Sequence, residues 1–403
     1  MVKRKANINE IGENWRAETQ AVRGGVMRSE FGETSEAIFL NSGFCYDNAE
    51  IAESRFNGEA PGYVYSRYLN PTLHMLEMRL AMLEGAEAAC VVGSGMAAVF
   101  ASLMSHLRTG DHVVAHRVLF GSCHYILAEI APRFGIEVSF IDGTKAEAWQ
   151  ASMLPNTKAV FIETPANPTL EVLDIAHIAE VCKAHKAMLI VDNILAGMQT
   201  QTPLQLGADV VVYSTTKHMD GQGRTLGGAI LGSESFIKDV VTPFHRHTGP
   251  ALSPFNAWVV LKSLETYSLR MERHNANAMH LAQMLDSHPK IAKVNYPLLK
   301  SNPQYEIAKR QMNAGGNMIA FEIKGGKEAA FAFMNKLQLI DISNNLGDSK
   351  SLITHPATTT HANMGEAAQL AVGITQGLVR LSVGLEHMLD LEEDLVSALE
   401  QNI

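Results

Sequence analysis

Two features of this chain could do covalent chemistry together. One is a lysine behind a hydroxyl-rich turn, Ser214-Thr215-Thr216-Lys217; the other is an aspartate, Asp192, that ends the preceding apolar run. A lysine amine can form a Schiff base with an aldehyde. Hydroxyls beside it can hold a phosphate. An acid against a pyridine nitrogen keeps that nitrogen protonated, so that the ring can accept electrons. These are the requirements of pyridoxal phosphate. Each residue alone has an ordinary alternative: a solvated lysine, and a helix-capping or loop acid. Placement favours the chemistry, because both groups end adjacent apolar runs, and parallel strands would bring both ends to one edge of a sheet.

Those runs recur along the middle of the chain. They are Ala89 to Val92, His112 to Ala115, Val138 to Ile141, Ala159 to Ile162, Met188 to Val191, Val210 to Tyr213 and Gly227 to Leu231. Short runs rich in Val and Ile, with helical segments between them, predict a mostly parallel sheet covered on both faces. In such an α/β fold, ligands bind at the carboxyl ends of the strands. Pro71 opens a helix with Leu73, Leu76, Leu80 and Leu83 at helical spacing, and Gly85 stops it. Pro254 to Leu285 reads as one long helix with scope for a kink. Beyond it we expect a smaller α+β domain with strands at 318–323 and 378–383 and helices at 327–337 and 389–401. The expected division is an N-terminal arm (1–65), a cofactor-binding α/β domain (66–253) and a C-terminal domain with its linking helix (254–403).

A glycine turn, Gly93-Ser94-Gly95-Met96-Ala97-Ala98, follows the first run. Glycines let backbone N–H groups approach an anion, and a helix start favours negative charge. The pattern also fits a dinucleotide fingerprint, which makes an NAD-binding dehydrogenase the rival from another class. That reading wants an acid at the end of the next strand, where this chain has Ala115-His116-Arg117.

Bulk properties narrow the classes. With 403 residues, of which 46% are hydrophobic and 19% charged, the chain can bury a large core. A net charge of -9 disfavours nucleic acid as partner. Cys45, Cys90, Cys123 and Cys182 lack metal-ligand spacing and read as reduced thiols, so no metal is expected and the expected location is cytoplasmic. No apolar segment follows the basic Met1 to Lys5, and no run of about 18 apolar residues exists, so neither a signal peptide nor a membrane span is expected. His245 and His247 have no third ligand at a telling spacing and read as structural.

Several segments together resemble one family. They are Tyr65 to Thr72, Gly93 to Ala98, Glu163-Thr164-Pro165-Ala166-Asn167-Pro168, Val191-Asp192-Asn193 and Ser214 to Lys217. The chain resembles the Cys/Met-metabolism group of pyridoxal-phosphate enzymes, from about Thr19 to near its C-terminus. Lys217 to Arg224 and Thr354 to His361 are most similar to its O-succinylhomoserine sulfhydrylase branch.

The resemblance implies an aspartate aminotransferase-type fold (fold type I) and a role for each matching residue. Lys217 would hold the cofactor and shuttle protons, and Asp192 would bind the pyridine nitrogen. Gly95, Met96, Ser214 and Thr216 would hold the phosphate, and Tyr65 and Arg67 would reach the phosphate of a neighbouring subunit in a homotetramer built of two dimers. Asn167 would lie near the phenolic oxygen. Arg380 would clamp the substrate carboxylate, and Asn345 would help orient it through its amide. Phe120 would stack on the ring where many relatives have a tyrosine. Ser122 stands where methionine γ-lyases carry a cysteine, which argues against that activity. Ile194 to Met198 departs from the family pattern.

The reaction implied is γ-replacement on an amino-acid ester, O-succinylhomoserine, with sulfide as acceptor, giving homocysteine for methionine biosynthesis. Cysteine as acceptor (cystathionine γ-synthase chemistry) and O-acetylhomoserine as donor stay open.

Overall fold

A computed structural model describes residues 14–400. The basic start of the arm and the last residues of the expected C-terminal helix lie outside the described residues. Seven strands form the first sheet: β1 (Ala88–Val92), β2 (His112–His116), β3 (Glu137–Ile141), β4 (Thr157–Glu163), β5 (Met188–Asp192), β6 (Val210–Tyr213) and β7 (Gly228–Gly232). Their order across the sheet is β1-β7-β6-β5-β4-β2-β3. All pairings are parallel except those of β7, which runs antiparallel to both β1 and β6. No helix forms in residues 214–227 between β6 and β7, so the chain reverses there instead of crossing over.

Apart from the edge strand β3, whose residues are exposed or half-buried, the sheet is largely buried on both faces, as the continuous apolar runs require. On one face Val92, Val113, Phe161, Ile190, Val212 and Ile230 pack with the helix Gly95–Met104. On the other, alternate residues turn away. Val91, Val211 and Leu231 meet the helices Pro71–Glu84 and Pro254–Leu264, while Val160, Leu189 and Val191 meet the helix Ile175–His185. The helix Pro71–Glu84 starts where the Asn70 side chain accepts the Thr72 N–H, and it ends at Gly85 with φ +76°.

The long helix expected over 254–285 is two helices, Pro254–Leu264 and Tyr267–Ser287. Ser263 breaks it. Its hydroxyl bonds back to Val259 O, and its carbonyl accepts the Thr266 N–H and an Arg270 N–H instead of continuing the ladder.

A second sheet follows, with β8 (Ile291–Asn295), β9 (Met318–Ile323), β10 (Asp341–Ile342), β11 (Leu352–Thr354) and β12 (Leu378–Ser382), in the order β10-β11-β12-β9-β8. Three of these strands, β8, β10 and β11, add to the two read from sequence. The helices expected nearby lie at Gly326–Met334 and Met388–Glu400. The period of two along β12 divides its labour. Val379 and Leu381 join Phe321, Leu281 and Leu395 in a core of their own. Arg380 and Ser382 turn the other way, toward the first sheet.

The segment from Gly24 to Glu36 is tied down by Arg79, which is buried. Its guanidinium donates to Gly24 O (2.8 Å), Leu261 O (3.0 Å) and Glu36 Oε1 (2.6 Å). The second sheet is fastened beside Lys217. His218 Nε2 meets Asn317 Oδ1 at 2.7 Å, Asn317 Nδ2 donates to Ser382 Oγ, and the Gly347 N–H donates to the same hydroxyl at 2.9 Å.

The start of β7 passes against the glycine turn after β1. A Cβ on Gly228 would lie 2.2 Å from Ser94 O, and one on Gly95 would lie 2.7 Å from the Ser214 Cβ. Only glycine allows both approaches, because backbone cannot move aside cheaply here. Gly228→Ala should therefore destabilise the protein by about 2 kcal/mol or more, as overpacking against backbone does. Urea unfolding followed by circular dichroism checks this, and an unchanged midpoint would contradict the packing described.

Candidate active site

The parallel strands set the site. Asp192 ends β5 and faces Glu163, the end of β4, in register, while Val212 of β6 pairs with Asp192 on its other side. The turn 214–217 leaves β6 at the same edge. The helix Gly95–Met104 starts there after β1, and Phe120 lies just past β2. Between these ends and the second sheet is a cavity of about 460 Å³. Gly95, Met96, Phe120, Asn167, Asp192, Ser214, Thr216, Lys217, Asn345 and Arg380 all line it.

Lys217 is half-buried, and its Nζ donates to Asn345 Oδ1 at 2.5 Å. Burial, with the nearby Arg380 charge, pulls its pKa down to about 8. More of the amine is then neutral near physiological pH than in a solvated lysine, as suits a nucleophile or proton acceptor.

Asp192 is buried, and among the described residues no cation pairs with it. Its Oδ1 accepts the Ile194 N–H at 3.0 Å, and its Oδ2 lies 4.0 Å from Cys123 Sγ. Burial raises its pKa to about 7. Glu163 is pushed up in the same direction, first by burial and then by the Asp192 charge.

Arg380 is buried on β12. Nη1 donates to Asn167 Oδ1 (2.7 Å) and Nη2 to Asn344 O (2.9 Å), while Nε has no hydrogen-bond partner among the described residues. At the other end of the cavity, Ser94 caps the helix by accepting the Ala97 N–H. The Gly95 and Met96 amides belong to the first turn, where no intrahelical acceptor exists. Thr216 Oγ1 is held by the Gly227 N–H (3.1 Å), and the Ser214 hydroxyl stands beside Gly95.

These features fit pyridoxal phosphate. A buried carboxylate lacking a cation suits a pyridinium nitrogen. A helix start with two hydroxyls suits a phosphate. A depressed lysine suits an aldehyde, and an arginine with a spare N–H suits a carboxylate.

The dinucleotide alternative does not fit the topology. Its fingerprint joins two adjacent parallel strands. Here β1 and β2 are separated by β7, β6, β5 and β4.

Tyr65 and Arg67 are not part of this cavity. Tyr65 is exposed, and the Arg67 guanidinium lies over the rings of Tyr65 and Tyr68, at 5.5 and 5.1 Å. Arg67 lines a separate cavity with His245 and Arg246. Among the described residues no cluster of His, Cys, Asp and Glu could hold a metal ion, and no helix is long and apolar enough to cross a membrane.

Sequence reasoning assigned no role to Glu163 or Cys123, although both line the cavity. The available signal was that Glu163 ends an apolar run next to the one ending in Asp192. The departure at Ile194 to Met198 is a turn. Gly197 has φ +73°, and Tyr267 Oη fills the space a Cβ would take, at 2.5 Å.

A lysine, an acid and an anion cradle at the carboxyl edge of a mostly parallel sheet define a pyridoxal-phosphate enzyme of fold type I. The sequence model of the Cys/Met metabolism PLP-dependent enzyme family matches residues 18–400. The chain is 51% identical over 385 residues to an O-succinylhomoserine sulfhydrylase of Mycobacterium tuberculosis, covering 94% of this chain and 95% of that protein. It is 45% identical over 382 residues to an O-succinylhomoserine sulfhydrylase of Pseudomonas aeruginosa, covering 95% of this chain and 94% of that one. A crystal structure of a putative O-acetylhomoserine (thiol)-lyase from Campylobacter jejuni, containing N'-pyridoxyl-lysine-5'-monophosphate, superposes with a TM-score of 0.92 at 35% identity, covering 96% of this chain and all of that one. The chain belongs to the Cys/Met metabolism family of PLP-dependent enzymes.

The Asp192 carboxyl yields a prediction with a sign. Its folded pKa is raised, so the folded apoprotein binds more protons than the unfolded chain between about pH 4 and 7. The associated stability is present at low pH and is lost as pH rises through about 7. Apoprotein carrying Asp192→Asn, which keeps the acceptor for Ile194, should be more stable than wild type at pH 8, with the gap closing toward pH 4. The same variant should bind pyridoxal phosphate far more weakly. Thermal melts of both apoproteins across pH, with cofactor titration, check both parts.

Proposed function

We propose that this chain makes homocysteine by γ-replacement, with hydrosulfide displacing succinate from O-succinylhomoserine. The observation that carries the reading is the convergence of Lys217, Asp192 and Arg380 on one cavity. The relatives at 51% and 45% identity support the choice of ester and acceptor. When bound, pyridoxal phosphate supplies an electron-accepting ring that stabilises charge at the α-carbon.

The chain's residues do the rest. Lys217 holds the cofactor and is freed when the substrate amine takes its place. Its neutral amine then takes the α-proton, gives it up to the bound cofactor and so regains the lone pair with which it takes a β-proton, since Phe120 has no hydroxyl to share the task. The γ-carbon–oxygen bond breaks and succinate leaves with the electron pair. A carbon–sulfur bond forms from hydrosulfide, and protons return to the β- and α-carbons. Asp192 would keep the ring nitrogen protonated, and Phe120 would cover the ring face. Asn167 would lie by the phenolic oxygen. Gly95, Met96, Ser214 and Thr216 would hold the phosphate.

Arg380 binds the substrate carboxylate through its free Nε and a neighbouring Nη N–H, and Asn345 shares that carboxylate when Lys217 moves. Lys217 must reach two carbons. A single hydrogen bond to Asn345 leaves it that freedom.

Tyr65 and Arg67 serve the phosphate site of a neighbouring subunit, in a homotetramer of two such dimers. The exposure of Tyr65 is consistent with this. The working units are the arm (1–65), the cofactor-binding part (66–253) and the C-terminal part (254–403). The enzyme acts in the cytoplasm.

Lys217→Ala should abolish the borohydride-reducible bond to pyridoxal phosphate and cut turnover by a factor of about a thousand or more. Unchanged turnover would end the mechanism. Steady-state kinetics on the succinyl and acetyl esters, each with sulfide and with cysteine, test the substrate assignment. The expected order puts the succinyl ester with sulfide first, and a far better rate with cysteine would make the protein a cystathionine γ-synthase.

A further inference from the structure

One buried carboxyl group ties together the two loops that frame the cavity. Glu163 is 1% exposed at the end of β4. Its Oε2 accepts the backbone N–H of Phe120 at 2.6 Å, and its Oε1 accepts that of Asn167 at 3.1 Å. Phe120 lies past β2, and Asn167 lies past β4. Asn167 Oδ1 in turn accepts Arg380 Nη1 from β12 at 2.7 Å. Phe120, Asn167 and Arg380, which all line the cavity, are thus linked to one side chain.

Packing alone gives no reason for an acid at this position. A buried carboxyl is costly, and its partner in register is a second acid, Asp192. The strand pairing of β4 with β5 runs through backbone groups and does not use the Glu163 side chain. What the carboxyl adds is two acceptor oxygens, about a carboxyl width apart, each aimed at a different loop amide.

We propose that Glu163 is a positioning residue for cofactor and substrate, setting Phe120 through one oxygen and, through the other, Asn167 and then Arg380. The inference rests on the cofactor site of the proposed function and not on the choice of sulfur acceptor.

The test compares two opposite chemical changes with one geometric consequence. Glu163→Gln keeps the volume, but its amide nitrogen cannot accept, so one loop amide faces a donor. Glu163→Asp keeps the acid but withdraws both oxygens by one methylene. For both variants the apoprotein affinity for pyridoxal phosphate should fall about tenfold, and KM for the acyl-homoserine should rise about tenfold with a smaller change in kcat. The visible circular dichroism of the bound cofactor should change as well, which a merely structural role would leave alone. If Glu163→Asp keeps wild-type values while Glu163→Gln is impaired, charge and not position matters, and the inference is overturned. Wild-type cofactor affinity, dichroism and KM in Glu163→Gln overturn it too.

Asn167→Ala keeps its backbone amide on Glu163 but cuts the link to Arg380. In that background Glu163→Gln should raise KM little further, whereas full additivity would rule out the route through Asn167. Wild-type protein that takes up no pyridoxal phosphate would instead sink the proposed function.

Discussion

Two acids meet at the buried ends of β4 and β5, and among the described residues no cation is paired with the second of them. The rest of the site depends on this constraint. Register places Glu163 beside Asp192, and burial raises both. Two anions cannot share a dry site at low cost. Glu163 is satisfied by two backbone amides. Asp192 has one, so its carboxylate form calls for a positive partner. A protonated ring nitrogen would supply that partner, and the pairing would in turn keep the ring electron-poor.

The other groups are placed by the same geometry. Parallel strands deliver their carboxyl ends to one edge, so residues far apart in the chain arrive together. The reversal at β7 adds close contact. Gly228 lets the strand pass against Ser94, and Gly95 lets the helix start sit against Ser214. The anion cradle and the lysine turn are therefore packed against each other. Movement of either would be felt by both.

The second sheet closes the cavity from the far side. Alternation along β12 sends Val379 and Leu381 into one core and Arg380 into the site. The polar chain from His218 through Asn317 and Ser382 to Gly347 holds that sheet against the lysine turn. Lys217 and Asn345 meet across this junction. A depressed lysine pKa follows from the closure, because burial and the Arg380 charge both disfavour the ammonium form.

Local pattern by itself determined much of this protein. Short Val- and Ile-rich runs specify buried strands, because only continuous apolar runs suit a sheet covered on both faces, and seven of them lie where the sequence places them. The lysine turn and Asp192 were legible because each ends an apolar run with a residue type that burial disfavours, and the glycine turn because glycine interrupts a strand with backbone freedom. What local pattern could not determine was decided by long-range contacts. The antiparallel course of β7 depends on which neighbours it pairs with. The break at Ser263 depends on Arg270 and Thr266 taking its carbonyl. Tyr65 and Arg67 stand away from the Lys217 cavity of their own chain. The tie made by Glu163 exists only because β2, β4 and β12 end at one place, and one-dimensional spacing carries no record of which loop amides a side chain will meet.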